Sequence, residues 1–300
     1  MFNIIKTKKY WFIFSGILTV LSIVSISVFG LRLGIDYTGG SILKISSSSA
    51  DKSEIVQKEL QENNISNYQI KPAGSDELII KTAFLDKDAY QKISSKLAAD
   101  LGNYKEISYD TIGPTVGKDL ENKSILAVIL SSLGIILYIA YAFRRLPRPL
   151  SSWKFGVSAV IALIHDLLIT TGFVSILSHF FSWMEVDVLF ITALLTIMGF
   201  SVHDTIVVYD RLRENFIRNP HQSIEKTAQN SVNQTIARSI NTSLSTVLVL
   251  VALIILGSGS ILHFTLTLAF GIVIGTYSSI FIATLIMITW HNAPKKVGER

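Results

Sequence analysis

Six apolar runs, at 10–30, 124–143, 155–177, 188–208, 239–257 and 261–287, constrain this chain more than any other feature. About 20 apolar residues at ~1.5 Å each cross the ~30 Å hydrocarbon layer of a bilayer, and each run reaches or approaches that length. Lipid offers no partners for backbone N–H and C=O groups, so each run must close its own hydrogen bonds as a helix. Composition agrees, with 49% hydrophobic and 16% charged residues and a mean hydropathy of +0.46. The fifth run is the least apolar, carrying Ser, Thr and Asn in its first half.

Lys and Arg set the expected orientation. Lys6, Lys8 and Lys9 precede the first run, Arg144, Arg145, Arg148 and Lys154 lie between the second and third, and Arg211, Arg213, Arg218 and Lys226 follow the fourth. Lys295, Lys296 and Arg300 close the chain, while 178–187 and 257–260 carry none. By the positive-inside rule both termini are cytoplasmic and the long segment 32–123 is outside. That segment holds twelve Lys/Arg against fourteen Asp/Glu, so the chain's excess of 27 basic over 22 acidic residues lies elsewhere and reports topology. This weighs against nucleic-acid binding, which calls for a basic stripe on a folded domain. The first run exceeds the ~7 to 15 residues of a signal-peptide core and no small-x-small cleavage pattern follows, so it reads as an uncleaved anchor. No cysteine is present, which removes disulfides and thiolate metal sites, and the six histidines form no i, i+4 pair. No metal, cofactor or enzymatic acid–base cluster is expected.

The external segment alternates period-2 and period-3.6 patterns. Strands are expected at 41–45, 68–72, 77–84 and 104–110 and helices at 51–64 and 86–102, the order β-α-β-β-α-β of a small ferredoxin-like sandwich. AGSD (73–76) supplies a hairpin turn and Gly102 a helix C-cap. The domain reads as a binding or mechanical module. Its two connections are glycine-rich: Gly39 and Gly40 in GIDYTGG (34–40), and Gly113, Pro114 and Gly117 in TIGPTVGKDL (111–120). These five are hinge candidates, with ordinary boundary turns as the alternative.

Ionisable residues inside the runs are the functional candidates, because a charge at the centre of a spanning helix costs about 2.5 to 3.5 kcal/mol on insertion scales. Asp204 lies about 26 Å along the fourth span from its outer end, and Arg238 about 28 Å from the outer end of the fifth. If the helices are neighbours, the two can pair. Gln234, Arg238, Asn241, Thr242 and Ser245 share one helical face, expected to turn inward. Asp166, with His165 beside it, sits about 18 Å into the third span, and His203 precedes Asp204 but points ~100° away from it. Gly271, Gly275 and Ser279 form a small-xxx-small packing stripe. Asn219 and Pro220 are expected to start an interfacial helix over 219–236, with Ile224, Ala228, Val232 and Ile236 as its apolar stripe.

Together GIDYTGG, TIGPTVGKDL, ALIHDLLITTGF (162–173), GFSVHDTIVVYDRLREN (199–215) and SVNQTIARSINTSLSTVL (231–248) resemble the SecF family of bacterial protein-export membrane proteins over essentially the whole chain. The resemblance implies six spans as one half of a resistance-nodulation-division-type assembly whose other half is SecD. It implies work with the SecYEG channel and the SecA motor on preproteins at the cytoplasmic (inner) membrane, drawing on the proton gradient. By it, Asp204 matches the family's span-four acid on the proton path, Arg238 its span-five arginine, and Asp166 its HD motif. Tyr37 stands where Phe is more usual, and His203 where Asn is frequent. No Walker A sequence occurs, so nucleotide acts elsewhere. Two other readings remain open: a small-molecule or lipid exporter of the same superfamily, and a static translocon scaffold.

Overall fold

The computed structural model describes residues 3–49, 51–65, 67–73, 76–144, 151–257 and 261–292. Gly74 and Ser75 of the expected hairpin turn, most of the 257–260 loop, and Arg145, Arg148, Lys295, Lys296 and Arg300 of the orientation signal lie outside them. The chain forms two compact units, 33–125 and a membrane unit of 1–32 with 126–300.

The external unit begins with a short α2 (Ile35–Thr38), followed by β1 (Gly40–Ser46), α3 (Lys52–Glu62), β2 (Tyr68–Ala73), β3 (Glu77–Thr82), α4 (Lys87–Asp100) and β4 (Lys105–Ile112). The four strands form an antiparallel sheet in the order β2-β3-β1-β4, so β3 is inserted between β2 and β1. Register places Leu43 opposite Ile80 and Ile45 opposite Leu78. Strand alternation turns all four toward Val56 and Leu60 of α3 and Ile93 and Leu97 of α4 in one buried cluster. Asp86 caps α4 by accepting from Ala89 N. Gly102 is not the left-handed residue after this helix: α4 ends at Asp100 and the positive φ (52°) falls on Asn103, which tolerates that region.

The glycine-rich connections converge within this unit. Gly39 (φ 70°) lies so near Pro114 that an added Cβ would be 2.9 Å from Pro114 Cα, and a Cβ on Gly117 would be 2.8 Å from the Tyr37 carbonyl oxygen. Tyr37 OH also meets Ser124 Oγ at 3.0 Å. The lost side chains serve close backbone approach, and Pro114, fixed near helical φ, starts α5 (Pro114–Ala142).

Six helices are long and apolar enough to cross a membrane: α1 (Lys8–Phe29), α5, α6 (Ser152–Phe180), α7 (Val188–Arg218), α8 (Ile224–Leu256) and a sixth at Leu262–Asn292. The sixth is not continuous α-helix; α9 (Leu262–Ser278) and α10 (Thr284–Asn292) are joined by a π turn at Ser279–Ala283. Small residues let these helices touch. Gly172 of α6 faces Ser22 of α1, whose Ser25 Oγ donates to the Gly172 carbonyl at 3.0 Å. Gly271 and Gly275 of α9 lie against Ile197 and Ser201 of α7, as the small-residue stripe predicts. Toward the α7 C-terminus, Phe155, Tyr209, Leu212, Phe216, Ala228 and Met287 close an apolar core.

The interfacial helix expected over 219–236, leading into the fifth span, is corrected. Ser223 caps a single 33-residue α8 by accepting from Lys226 N, and residues 224–236 are its first turns. Their apolar stripe of Ile224, Ala228 and Val232 is buried against the bundle, which removes the reason for it to lie on a membrane surface.

Candidate functional site

Two carboxylates are buried inside the membrane unit. Asp204 of α7 is 6% exposed, and its Oδ2 accepts from Ser243 Oγ of α8 at a long 3.5 Å. Ser243 is also bound at 2.5 Å to Thr276 Oγ1 of α9. One turn earlier on α8, Ser239 is buried and its Oγ lies against the same carboxylate without a hydrogen bond of normal geometry. The acid thus sits among hydroxyls at the meeting of three helices.

The expected Asp204–Arg238 ion pair is corrected by this arrangement: among the described residues no Lys, Arg or His lies within 4.0 Å of Asp204 as an ion pair. Depth alone predicted the pairing, but Ser239 and Ser243 occupy the azimuth facing Asp204. Arg238, one residue from Ser239, points ~100° around the helix. It is exposed and lines a cavity of about 440 Å³ with Asp210, Arg211, Arg213 and Glu214 of α7 and Gln234 of its own helix. Arg211 and Arg213 are held by Glu214 and Asp210, and Arg211 Nε donates to Gln234 at 2.6 Å.

The polar face of α8 does not turn inward either. Gln234, Arg238, Asn241, Thr242 and Ser245 are all exposed, as is His203 on α7; the buried face carries Thr235, Ser239 and Ser243 instead.

Asp166 of α6 is fully buried and held from three sides. Its Oδ2 accepts from Ser201 Oγ of α7 and Ser278 Oγ of α9, both at 2.6 Å, and its Oδ1 lies 3.0 Å from His165 Nδ1. His165 Nε2 is hydrogen-bonded in turn to Ser15 Oγ of α1. Sequence reasoning found Asp166 and His165 but missed Ser15, Ser201 and Ser278, because serine is common in spanning helices and only the fold brings these three together. It also missed a second His–Asp contact at the start of α7, where Asp187 caps the helix and meets His263 Nε2 at 2.8 Å.

Tyr90, Ser94, Tyr104 and Glu106 form a tight polar cluster in the external unit. Tyr90 OH donates to both Glu106 carboxylate oxygens (2.7 and 2.8 Å), and Tyr104 OH and Ser94 Oγ each reach Oε2 at 3.3 Å. Burial first, then the Glu106 charge and hydrogen bond, push the Tyr90 phenol up to about 12. Among the described residues no group of three or more His, Cys, Asp or Glu has metal-binding geometry.

Comparison with known proteins places these features. The family model "Protein export membrane protein SecD/SecF, C-terminal" matches residues 92–293, and the SecD/SecF GG motif matches 24–51, which includes Gly39 and Gly40. The chain is 37% identical to the protein translocase subunit SecF of Thermobaculum terrenum, over 97% of this chain and 95% of that one. It is 34% identical to the protein translocase subunit SecDF of Bacillus subtilis, over 96% of this chain but only 38% of that longer protein. The crystal structure of SecDF from Thermus thermophilus, a translocon-associated membrane protein, superposes with a TM-score of 0.81 at 30% identity, covering 97% of this chain and 39% of that one. On family model, identity and fold together, the chain belongs to the SecD/SecF family of protein-export membrane proteins.

Proposed function

We propose that the chain is the SecF-type half of a Sec export complex in the cytoplasmic membrane, both termini cytoplasmic, and that proton binding at Asp204 drives its conformational cycle. The observation that carries this reading is a carboxylate buried among hydroxyls at the junction of α7, α8 and α9, with no counter-ion in contact among the described residues. Such a group has hydroxyls but no ion-pair partner to support its charge, and an intramembrane acid in this setting marks a proton or ion path. Arg238 acts on it through the field rather than by a direct bond, from the cavity at the neighbouring face of α8.

The partner is SecD. The exposed polar stripe of His203, Arg238, Asn241, Thr242 and Ser245 would face lipid in an isolated chain, where a charge at the helix centre costs about 2.5 to 3.5 kcal/mol. A second six-span half laid on α7 and α8 covers it. The SecDF relatives, of which this chain spans about two fifths, carry further sequence in the same polypeptide. SecYEG, SecA and the preprotein complete the assembly, and the chain performs no covalent chemistry.

Energetically, one elementary charge crossing 100 mV releases about 2.3 kcal/mol. Moving a two-state equilibrium from 1:99 to 99:1 takes about 5.5 kcal/mol, so roughly two or three protons per cycle suffice at that potential. The close approaches of Gly39 to Pro114 and of Gly117 to Tyr37 tie the first turn of α5 to the GIDYTGG segment, and with Gly40 and Gly113 beside them these five residues are the hinge through which motion of this helix would reach the sheet. The test is Asp204→Asn in the SecD-containing complex. Export stimulation by the proton gradient should vanish while assembly persists; stimulation at the wild-type level would refute the role of Asp204.

A further inference from the structure

The π turn at Ser279–Ala283 is held at both ends by side chains of other helices. At its start, Ser278 Oγ donates to Asp166 Oδ2 (2.6 Å), Ser279 Oγ donates to the Ser201 carbonyl (2.8 Å), and Thr205 Oγ1 donates to Ser279 Oγ (2.9 Å). At its end, Tyr209 OH donates to the Ala283 carbonyl (3.1 Å) and is itself bound to Ser158 Oγ (2.7 Å). A π turn carries one residue more than an α turn and leaves backbone carbonyls without ladder partners, so it persists where neighbours occupy them. Here Tyr209 of α7 occupies the Ala283 carbonyl, while Asp166 of α6 and Ser201 and Thr205 of α7 hold the Ser278 and Ser279 side chains, all of them buried.

We propose that the Asp166 carboxylate is the latch that holds this π turn in register, so that the charge on Asp166 sets the rotation of α10. The two serine contacts at 2.6 Å are short O–H···O⁻ bonds, the kind an ionised oxygen accepts. A proton added to this carboxylate weakens both bonds at once, because a neutral acid accepts less strongly and needs an acceptor for its own O–H. Oδ1 lies 3.0 Å from His165 Nδ1, so a proton on Oδ1 that points at the ring finds an acceptor there only when the imidazole carries its proton on Nε2, with Ser15 Oγ then accepting from Nε2. When Ser278 is released, closing the bulge turns the helix beyond it by ~100° and shifts it by ~1.5 Å.

The titratable groups facing Asp166 are His165 on its own helix and Tyr277 on α9; α1 and α7 present only the hydroxyls of Ser15 and Ser201. The inference concerns Asp166 and α10, and it stands independently of whether Asp204 carries protons.

The chain has no cysteine, so single thiols report cleanly on α10. Met287 is buried and Thr289 is exposed. In the membrane-embedded complex, Thr289→Cys should react with a permeant maleimide and Met287→Cys should not. Adding Asp166→Asn should change the ratio of the two rates by at least roughly tenfold, the effect of losing one or two charge-assisted hydrogen bonds. Ser278→Ala, which keeps the carboxylate and removes only the hook, should shift the ratio in the same direction. An unchanged ratio in Ser278→Ala overturns the proposal even if Asp166→Asn fails to fold. The wild-type ratio should also titrate with pH and lose that dependence in Asp166→Asn. A titration that survives in Asp166→Asn assigns the switch to His165 or Tyr277 and overturns the latch.

Discussion

Gly172→Ala tests whether the α1–α6 contact is as close as the structure places it. The new Cβ would fall 2.4 Å from Ser22 Cβ and 2.6 Å from Ser22 Cα, well inside van der Waals contact, so the helices must separate. Overpacking of this kind costs about 1 to 3 kcal/mol. Separation also stretches the bonds across the same contact, Ser25 Oγ to the Gly172 carbonyl and Ser175 Oγ to the Ser25 carbonyl, worth about 0.6 kcal/mol each in a membrane. Gly134→Ala is the matched control, because its Cβ meets nothing within 4 Å and its helix-propensity gain is the same. The difference between the two variants should be about 2 to 4 kcal/mol, or roughly 30- to 900-fold in the unfolding constant. Reversible unfolding of the reconstituted chain, followed by steric trapping or mixed-micelle titration, measures it. Equal stability of the two variants would show that α1 does not pack on Gly172.

Two further outcomes follow from the external unit. Gly117→Ala should lower its thermal midpoint relative to Gly102→Ala, by about 1 to 3 kcal/mol of overpacking, since only the first places a Cβ 2.8 Å from the Tyr37 carbonyl; equal midpoints in scanning calorimetry would deny the close joint. Tyr90 binds its phenolic proton more tightly folded than unfolded, so its contribution to stability is fully present below pH ~10 and is lost as pH rises toward about 12. Proteolytic resistance of the unit should therefore fall more steeply between pH ~10 and about 12 in wild type than in Tyr90→Phe; parallel profiles would contradict the Tyr90–Glu106 account.

Much of the architecture was legible because the bilayer imposes length and backbone satisfaction together. Six apolar runs gave six spanning helices, and period-2 alternation gave the four strands. Helix ends were less legible: α8 runs fifteen residues ahead of its apolar run because Ser223 caps it and Ala228 and Val232 still find a core. The environment of the acids was legible in part. Rise per residue gives depth, which is why Arg238 was matched to Asp204, but azimuth depends on crossing geometry that one sequence does not carry. The polar stripe on α8 was visible, yet whether it faces its own bundle or a partner depends on the same missing angle. The π turn left no sequence mark, since Ser279, Ile280, Phe281, Ile282 and Ala283 fit an α-helix equally well.

The protonation state of Asp204 during export is the quantity on which the whole account rests. Difference infrared spectroscopy of the reconstituted SecD-containing complex, with and without an imposed proton gradient, reads it as a carboxylic-acid band assigned by its absence in Asp204→Asn. The account predicts that this band rises and falls with the gradient in step with export. A carboxylate that keeps one protonation state while the gradient still accelerates export would contradict it.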